Sequence, residues 1–462
     1  MVQAARPIPT DDPTAELQEV DLSDISHAVR LKNHIANRSA KVGVIGLGYV
    51  GLPFAVEKAK VGFDVTGIEQ NPNRAERVNQ SDSYIDDIAN DILKQVVESG
   101  HLRARSDFSQ IAELDVVVIC VPTPLTKNLT PDLSYIESVT EKIAQGLRPG
   151  QLISLESTTY PGTTDEVMRP ILERHSGLKQ GRDFFLAHSP ERVDPGNQRY
   201  TTQNTNKVVG ASDADSLEIA TLFYQQTIHT VVPVSSAKAA ELVKVFENTF
   251  RAVNIALVNE LAMLCDRIDL DIWEVLDAAN TKPFGIMPFY PGPGVGGHCI
   301  PIDPHYLEWK AKEVNFSTRF IALAGEINRR MPSFVRSKAF KVLNEIGIAP
   351  SKAKILVLGA TYKKDLADWR ESPSIEVMGA LLLQHATVAY HDPYVPEIEV
   401  SEQSLKSVPL TVETLEQADL VVIATDHTQV DYGWVVQHSH AVLDTRGVTR
   451  HLDCDLSKVT LL

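Results

Sequence analysis

At 462 residues and 50.9 kDa, the chain is too long for one hydrophobic core and predicts two or three domains. Its 43% hydrophobic and 23% charged residues are ordinary for a globular protein, and a net charge of −16 argues against nucleic acid or an anionic membrane as main partner. No stretch has the length of a membrane span and the acidic N-terminus lacks a signal-peptide core. The four scattered cysteines, with no C-x-x-C, fit a reducing cytoplasm and no structural metal.

Residues 1–38 read as a polar tail with one short helix. A strand (Lys41–Ile45), a glycine turn, a helix and a second strand (Asp64–Glu69) follow. Further apolar runs at Asp115–Val121, Gln151–Ser157 and Asp183–Ser189 read as strands separated by helical stretches, which predicts a parallel sheet with crossovers on both faces. From Ser235 to Ile268 there is no Gly or Pro and apolar residues recur at helical spacing, so a long helix is expected as a spine between domains. A short helix at Asp271–Asn280 precedes a Gly/Pro-rich loop, and another is expected at about His305–Val314. Near Lys354 a new strand–helix–strand pattern begins, with Pro332 and Pro350 flanking the transition. The expected fold class is α/β: two Rossmann-like parallel-sheet domains joined by a long central helix and a helical middle domain. The boundaries are 1–38, 39–228, 229–335 and 336–462.

Gly46-Leu47-Gly48-Tyr49-Val50-Gly51 fits G-x-G-x-x-G between a strand and a helix, the context that dinucleotide binding requires. Gly46 makes the turn, Gly48 lets the backbone approach a diphosphate, and Gly51 lets helix pack on strand. Glu69, at the end of the second strand, suits ribose hydroxyls and favours NAD over NADP, because a carboxylate repels a 2′-phosphate; Arg74 lies just beyond. Three strand ends on the same edge are unusually polar: Val121–Pro124, Glu156–Gly162 and Ser189–Gly196. Together they suggest a substrate cleft rather than ordinary turns.

On the long helix, Glu241, Lys244 and Asn248 share one face, where a lysine can stabilise an oxyanion or move a proton. Gly292–Pro304 (GPGVGGHCIPIDP) presents Cys299 just before a helix start, where the dipole favours the thiolate, with Asp303 nearby. A small buried cysteine in a tight turn is the plain alternative.

These motifs converge. The chain resembles the nucleotide-sugar 6-dehydrogenases, the group containing UDP-glucose and GDP-mannose dehydrogenases, from about residue 40 to the C-terminus. The resemblance rests on GLGYVG, VPTP, ESTTYPG, SPER, Lys244 with Asn248, GGHCIPIDP and YKKDLADWRES (Tyr362–Ser372). It implies oxidation of a sugar C6 alcohol to a carboxylate with two NAD, through a cysteine thiohemiacetal and thioester. By resemblance, Cys299 is the nucleophile, Lys244 steadies the oxyanion with Asn248, Glu191 does acid/base work or hydrolysis, Thr159 orders water, and Asp303 belongs to the proton network. Gly46, Gly48, Tyr49, Val50, Gly51, Glu69, Arg74, Thr123 and Arg370 fall at cofactor positions. Arg192, Val193, Lys244, Asn248, Tyr290, Gly296, Lys363 and Arg446 fall at UDP-sugar positions. The family dimerises through its middle domain, so a homodimer or higher oligomer is implied.

GGHCIP resembles the subgroup acting on N-acetylated sugars, and Thr281–Gly294 is most similar to the UDP-N-acetylglucosamine 6-dehydrogenases; Arg192 or His298 is a candidate donor to the N-acetyl amide. UDP-N-acetylmannosamine, UDP-N-acetylgalactosamine and UDP-glucose are the alternative substrates. A simpler two-electron NAD dehydrogenase needs neither the cysteine loop nor the second α/β domain. A nucleotide-sugar 2-epimerase or an inactive binding regulator is the rival from another class, and a dead relative should have lost Cys299, Lys244 or Glu191.

Overall fold

The computed structural model describes residues 26–85, 87–126, 128–193, 197 and 199–462. Eight strands form the first sheet: β1 (Lys41–Ile45), β2 (Asp64–Ile68), β3 (Leu102–Arg105), β4 (Val116–Ile119), β5 (Leu152–Leu155), β6 (Phe185–His188), β7 (Lys207–Ala211) and β8 (Val231–Val234). Their order is β3-β2-β1-β4-β5-β6-β7-β8. Strands buried on both faces read as continuous apolar runs, and alternate residues feed two cores. Val42, Val44 and Val118 enter one, and Ile45, Val117 and Ile119 the other.

The sheet departs from the all-parallel expectation at one junction: β7 runs antiparallel to β6. A parallel partner would need a crossover, and the described residues between His188 and Lys207 contain no helix. β3 and β8 escaped the sequence reading because edge strands carry polar residues or proline; β8 holds Pro233. The one short helix expected in the polar tail is present, and it packs into the first core. Helix His27–Ala36, capped by the Ser26 hydroxyl, buries Ala28, Leu31 and Ile35 in the first core, while residues 1–25 lie outside the described residues.

The spine helix runs Ala237–Ile268, with Ser236 accepting from the Ala239 N–H at its start and Asp269 left-handed at its end. It packs against helix Arg319–Glu345, which the proline punctuation hid. Pro332 lies inside that helix, so the expected boundary at 335/336 falls within an unbroken element. Asn259 and Asn328 lock the pair: Asn259 Nδ2 donates to Asn328 Oδ1 at 3.0 Å, and Asn328 Nδ2 to the Ala252 carbonyl at 3.1 Å.

The C-terminal sheet is all parallel, built from β9 (Lys354–Leu358), β10 (Thr387–His391), β13 (Leu420–Ile423), β14 (Val442–Asp444) and β15 (Val459–Leu461), in the order β10-β9-β13-β14-β15. A hairpin of β11 (Glu397–Val400) and β12 (Gln403–Lys406) stands beside it. No helix among the described residues is long and apolar enough to cross a membrane.

Candidate active site

The glycine turn follows β1. Gly46 has φ +88°, and a Cβ there would sit 2.5 Å from the Cys120 carbonyl oxygen; at Gly51 it would sit 1.8 Å from the Gly46 oxygen. At Gly48 a Cβ would meet nothing within 4 Å, so that backbone is bare toward a ligand. A cleft of about 590 Å³ opens there, lined by Gly48, Tyr49, Val50 and Arg74 on one side and by Asp368 and Arg370 of the C-terminal domain on the other. The open backbone at a helix N-terminus fits a dinucleotide diphosphate.

Glu69 braces this cradle. Its Oε2 accepts from the Leu47 N–H and its Oε1 from the Asn71 N–H, each at 3.0 Å. Arg74 lies over the Tyr84 ring at 5.5 Å, and the Tyr84 hydroxyl donates to the Leu47 carbonyl at 2.7 Å. Thr123, at the β4 end, accepts through its carbonyl from the Tyr306 hydroxyl at 2.6 Å.

The second cluster forms where the spine helix meets the cysteine loop. Helix Asp303–Glu313 starts two residues before the expected His305, so Cys299 lies in the turn before it, its carbonyl accepting from the Asp303 N–H at 2.8 Å. Asp303, 1% exposed, accepts from Asn248 Nδ2 at 2.6 Å. Burial raises its carboxyl to about 6, against the charge of Lys244 and the Asn248 bond.

The helix start favours a thiolate at Cys299, and burial opposes it. Burial pushes the Cys299 thiol above its ordinary value, and Asp303 and Glu191 add to this, outweighing Lys244 and Arg251. Arg251, three residues beyond Asn248 on the same helix, went unnoticed in the sequence; its helical spacing was the available signal. Glu241 departs from its expected neighbours. Its carboxylate accepts from the Gly162 N–H and from the Thr164 N–H and hydroxyl, and burial raises it to about 7.

Glu191 Oε1 accepts from the N–H groups of Arg192 and Val193, at 2.7 and 2.8 Å; Asp194–Gly196 of the same motif lie outside the described residues. Thr159, buried, hydrogen-bonds Thr163 rather than any member of the cysteine cluster among the described residues. Both candidate amide donors are engaged. Arg192 pairs with Glu247 at 2.5 Å, and His298 Nε2 lies 3.1 Å from Asp368 Oδ2.

The C-terminal domain presses on the loop. A Cβ on Gly296 would lie 2.6 Å from Pro373 Cδ and 2.7 Å from Tyr362 Cβ, which explains the glycine there. Arg446 pairs with Asp426 at 3.2 Å and its guanidinium borders Gly292. Tyr290 stacks on Trp273 with centroids 5.7 Å apart, and its hydroxyl donates to Asp277 at 3.1 Å. Lys363 is half-buried in the Tyr362–Ser372 segment that carries Asp368 and Arg370. No group of three or more His, Cys, Asp or Glu among the described residues could hold a metal ion.

Residues 40–228 match the NAD binding domain of the UDP-glucose/GDP-mannose dehydrogenase family, 238–330 its central domain and 356–451 its UDP binding domain. A UDP-N-acetyl-D-mannosamine dehydrogenase from Pyrococcus horikoshii is 37% identical over 84% of this chain and 90% of its own. A UDP-N-acetyl-D-glucosamine 6-dehydrogenase from Salmonella typhi is 35% identical over the same shares. A solved UDP-D-ManNAc dehydrogenase from P. horikoshii superposes with a TM-score of 0.82 at 32% identity, covering 91% of this chain and 98% of that one. With its three domains matched in order along the chain, the protein belongs to the UDP-glucose/GDP-mannose dehydrogenase family of NAD-dependent nucleotide-sugar dehydrogenases.

Proposed function

We propose that the protein oxidises the C6 alcohol of UDP-N-acetylglucosamine to the uronic acid in four electrons, for surface polysaccharide synthesis. The observation that carries this reading is the meeting of Cys299 and Asp303 with Lys244 and Asn248, with the charge of Glu191 reaching the thiol. NAD, when bound in the cleft, supplies the hydride acceptor for both oxidations. The alcohol loses a proton and a hydride to give the aldehyde. The Cys299 sulfur adds to the aldehyde carbon, and Lys244 and Asn248 steady the oxyanion. Loss of a second hydride leaves a thioester. Water adds to its carbon, the C–S bond breaks with its electron pair on sulfur, and the carboxylate departs. Glu191 takes the water proton, with Thr159 and Asp303 ordering water and relaying protons. Because the free thiol is held above its ordinary value, the step waits on substrate or on proton removal through this network.

Tyr290, Gly296, Lys363 and Arg446 hold the UDP-sugar, with Arg192 and Val193 at its edge. Residues 39–228 serve the cofactor, 229–335 the cysteine loop and 336–462 the UDP moiety, with helix Arg319–Glu345 shared across the last division. Two copies pair through the middle domain, in keeping with the exposed Phe246, Leu257, Phe316 and Phe320.

The likeness of Thr281–Gly294 supports N-acetylglucosamine. UDP-N-acetylmannosamine is the second reading, since relatives of both names stand within two points of identity, 37% and 35%. Counting NADH per sugar with UDP-N-acetylglucosamine, UDP-N-acetylmannosamine, UDP-N-acetylgalactosamine and UDP-glucose tests both halves. About two NADH from UDP-N-acetylglucosamine and little from the others is expected. About one per sugar sinks the thioester route, and two from another sugar overturns only the sugar.

A further inference from the structure

Lys207 is a buried cation to which the proposed reaction gives no task. Lys207, the first residue of β7, is 4% exposed. Its Nζ lies 2.9 Å from Glu156 Oε2 and 3.0 Å from Glu191 Oε2. Glu156 directly follows β5 and Glu191 lies just past β6. The antiparallel junction is what brings them together: a β7 parallel to β6 would start at the opposite edge of the sheet, far from both carboxylates.

The surroundings give Glu191 few other cations. Lys244 faces it from the spine helix, and the Glu156 carboxyl lies just past the end of β5, while burial pushes the nearby Cys120 and Cys299 thiols up, toward their neutral forms. His188, in β6, is held neutral, its pKa driven to about 3 by burial and by Lys207 and Lys244. Arg192 is taken by Glu247. Lys58, under the Phe223 ring and near Glu156, is pushed well down by burial. Burial works against charge at Glu191 and Lys207 alike. Even so, Glu191 is drawn below the usual carboxylate range by Lys207, the Val193 N–H and Lys244, while Glu156, behind the same lysine, is raised by its burial. Two carboxylates sharing one lysine are thereby driven apart in acidity.

We propose that Lys207 is a positioning residue for the hydrolytic half of the reaction, fixing Glu191 as an ionised carboxylate beside Cys299 while Glu156 anchors the lysine from behind. Lys244 is left to the oxyanion. In hydrolysis the water oxygen bonds to the thioester carbon, its proton passes to Glu191, and the C–S electron pair returns to the Cys299 sulfur. The inference rests on the thioester route proposed above.

The test follows uronate formation against pH in the full chain with NAD and UDP-N-acetylglucosamine, and weighs the intact protein for a covalent adduct. Removing an opposite charge at this distance raises a carboxyl by about one to three units. Lys207→Met should therefore move the acid limb of uronate formation upward by that much, with adduct accumulating below it. Lys207→Arg keeps the cation and should keep the wild-type limb. Should Lys207→Met fail to fold, the double variant Lys207→Met/Glu156→Gln, which buries one carboxylate fewer, should carry the same upward limb. Folded variants that lose rate equally at every pH overturn the proposal. If wild type makes two NADH and Glu191→Gln traps an adduct while the Lys207 variants keep the wild-type profile, only Lys207 is misassigned. If wild type makes about one NADH and Glu191→Gln traps nothing, the thioester route fails and takes this inference with it.

Discussion

Asn248 donates to Asp303 across 2.6 Å, and that bond ties the spine helix to the turn that carries Cys299. It joins residues 55 apart in sequence and is buried at both ends. The turn of the nucleophile is thus held against the spine helix.

Asp303 makes the pH consequence testable. Its folded value of about 6 lies above the ordinary aspartate range, so its ionisation costs stability. Its contribution is full below about pH 4 and is lost as pH rises through about 6. Asp303→Asn should thus be more stable than wild type at pH 8, by about 2–3 kcal/mol, with the difference vanishing near pH 4. Urea unfolding at both pH values measures it. A less stable variant at pH 8 would mean that the Asn248 and Lys244 interactions outweigh burial. Activity should fall at least tenfold, to about the loss expected when a proton-relay group is removed.

The raised Cys299 thiol predicts slow alkylation. Iodoacetamide labelling, read by peptide mass spectrometry, should accelerate about tenfold per pH unit from about pH 7 to 9. Lys244→Met removes a pull toward the thiolate and should slow labelling at every pH in that range. Exposed Cys454 serves as the internal standard. Equal rates in the two proteins would separate Lys244 from the thiol.

The glycine turn separates binding from folding. Gly48→Ala adds a methyl into open space, so the Michaelis constant for NAD should rise about tenfold with little change in thermal unfolding. Gly51→Ala forces a carbon to within 1.8 Å of the Gly46 carbonyl oxygen and should lower stability by about 1–3 kcal/mol. Matching stability losses in both would refute the division.

The middle domain's apolar face predicts association. Phe320 is 79% exposed and Phe246 62%. Phe320→Glu should leave the fold of one chain intact and shift sedimentation toward monomer. A wild type that sediments as a monomer at assay concentration removes the proposed dimer.

What the sequence determined by itself was local. Continuous apolar runs predict β1, β4, β5 and β6 within a residue or two, because strands buried on both faces have no polar side to interrupt them. The glycine turn and the spine helix were legible for a similar reason, since spacing and caps act over a few residues. Helix Arg319–Glu345 was not, because a proline reads as a break unless packing holds it in place. Only the tertiary structure decided which charges meet. Arg192 finds Glu247, His298 finds Asp368, and Lys207 reaches Glu156 and Glu191 through a strand direction that no local pattern encodes. It likewise brought the charges of Lys244, Arg251 and Glu191, all distant in sequence, to bear on Cys299, whose burial opposes the thiolate that the helix start favours.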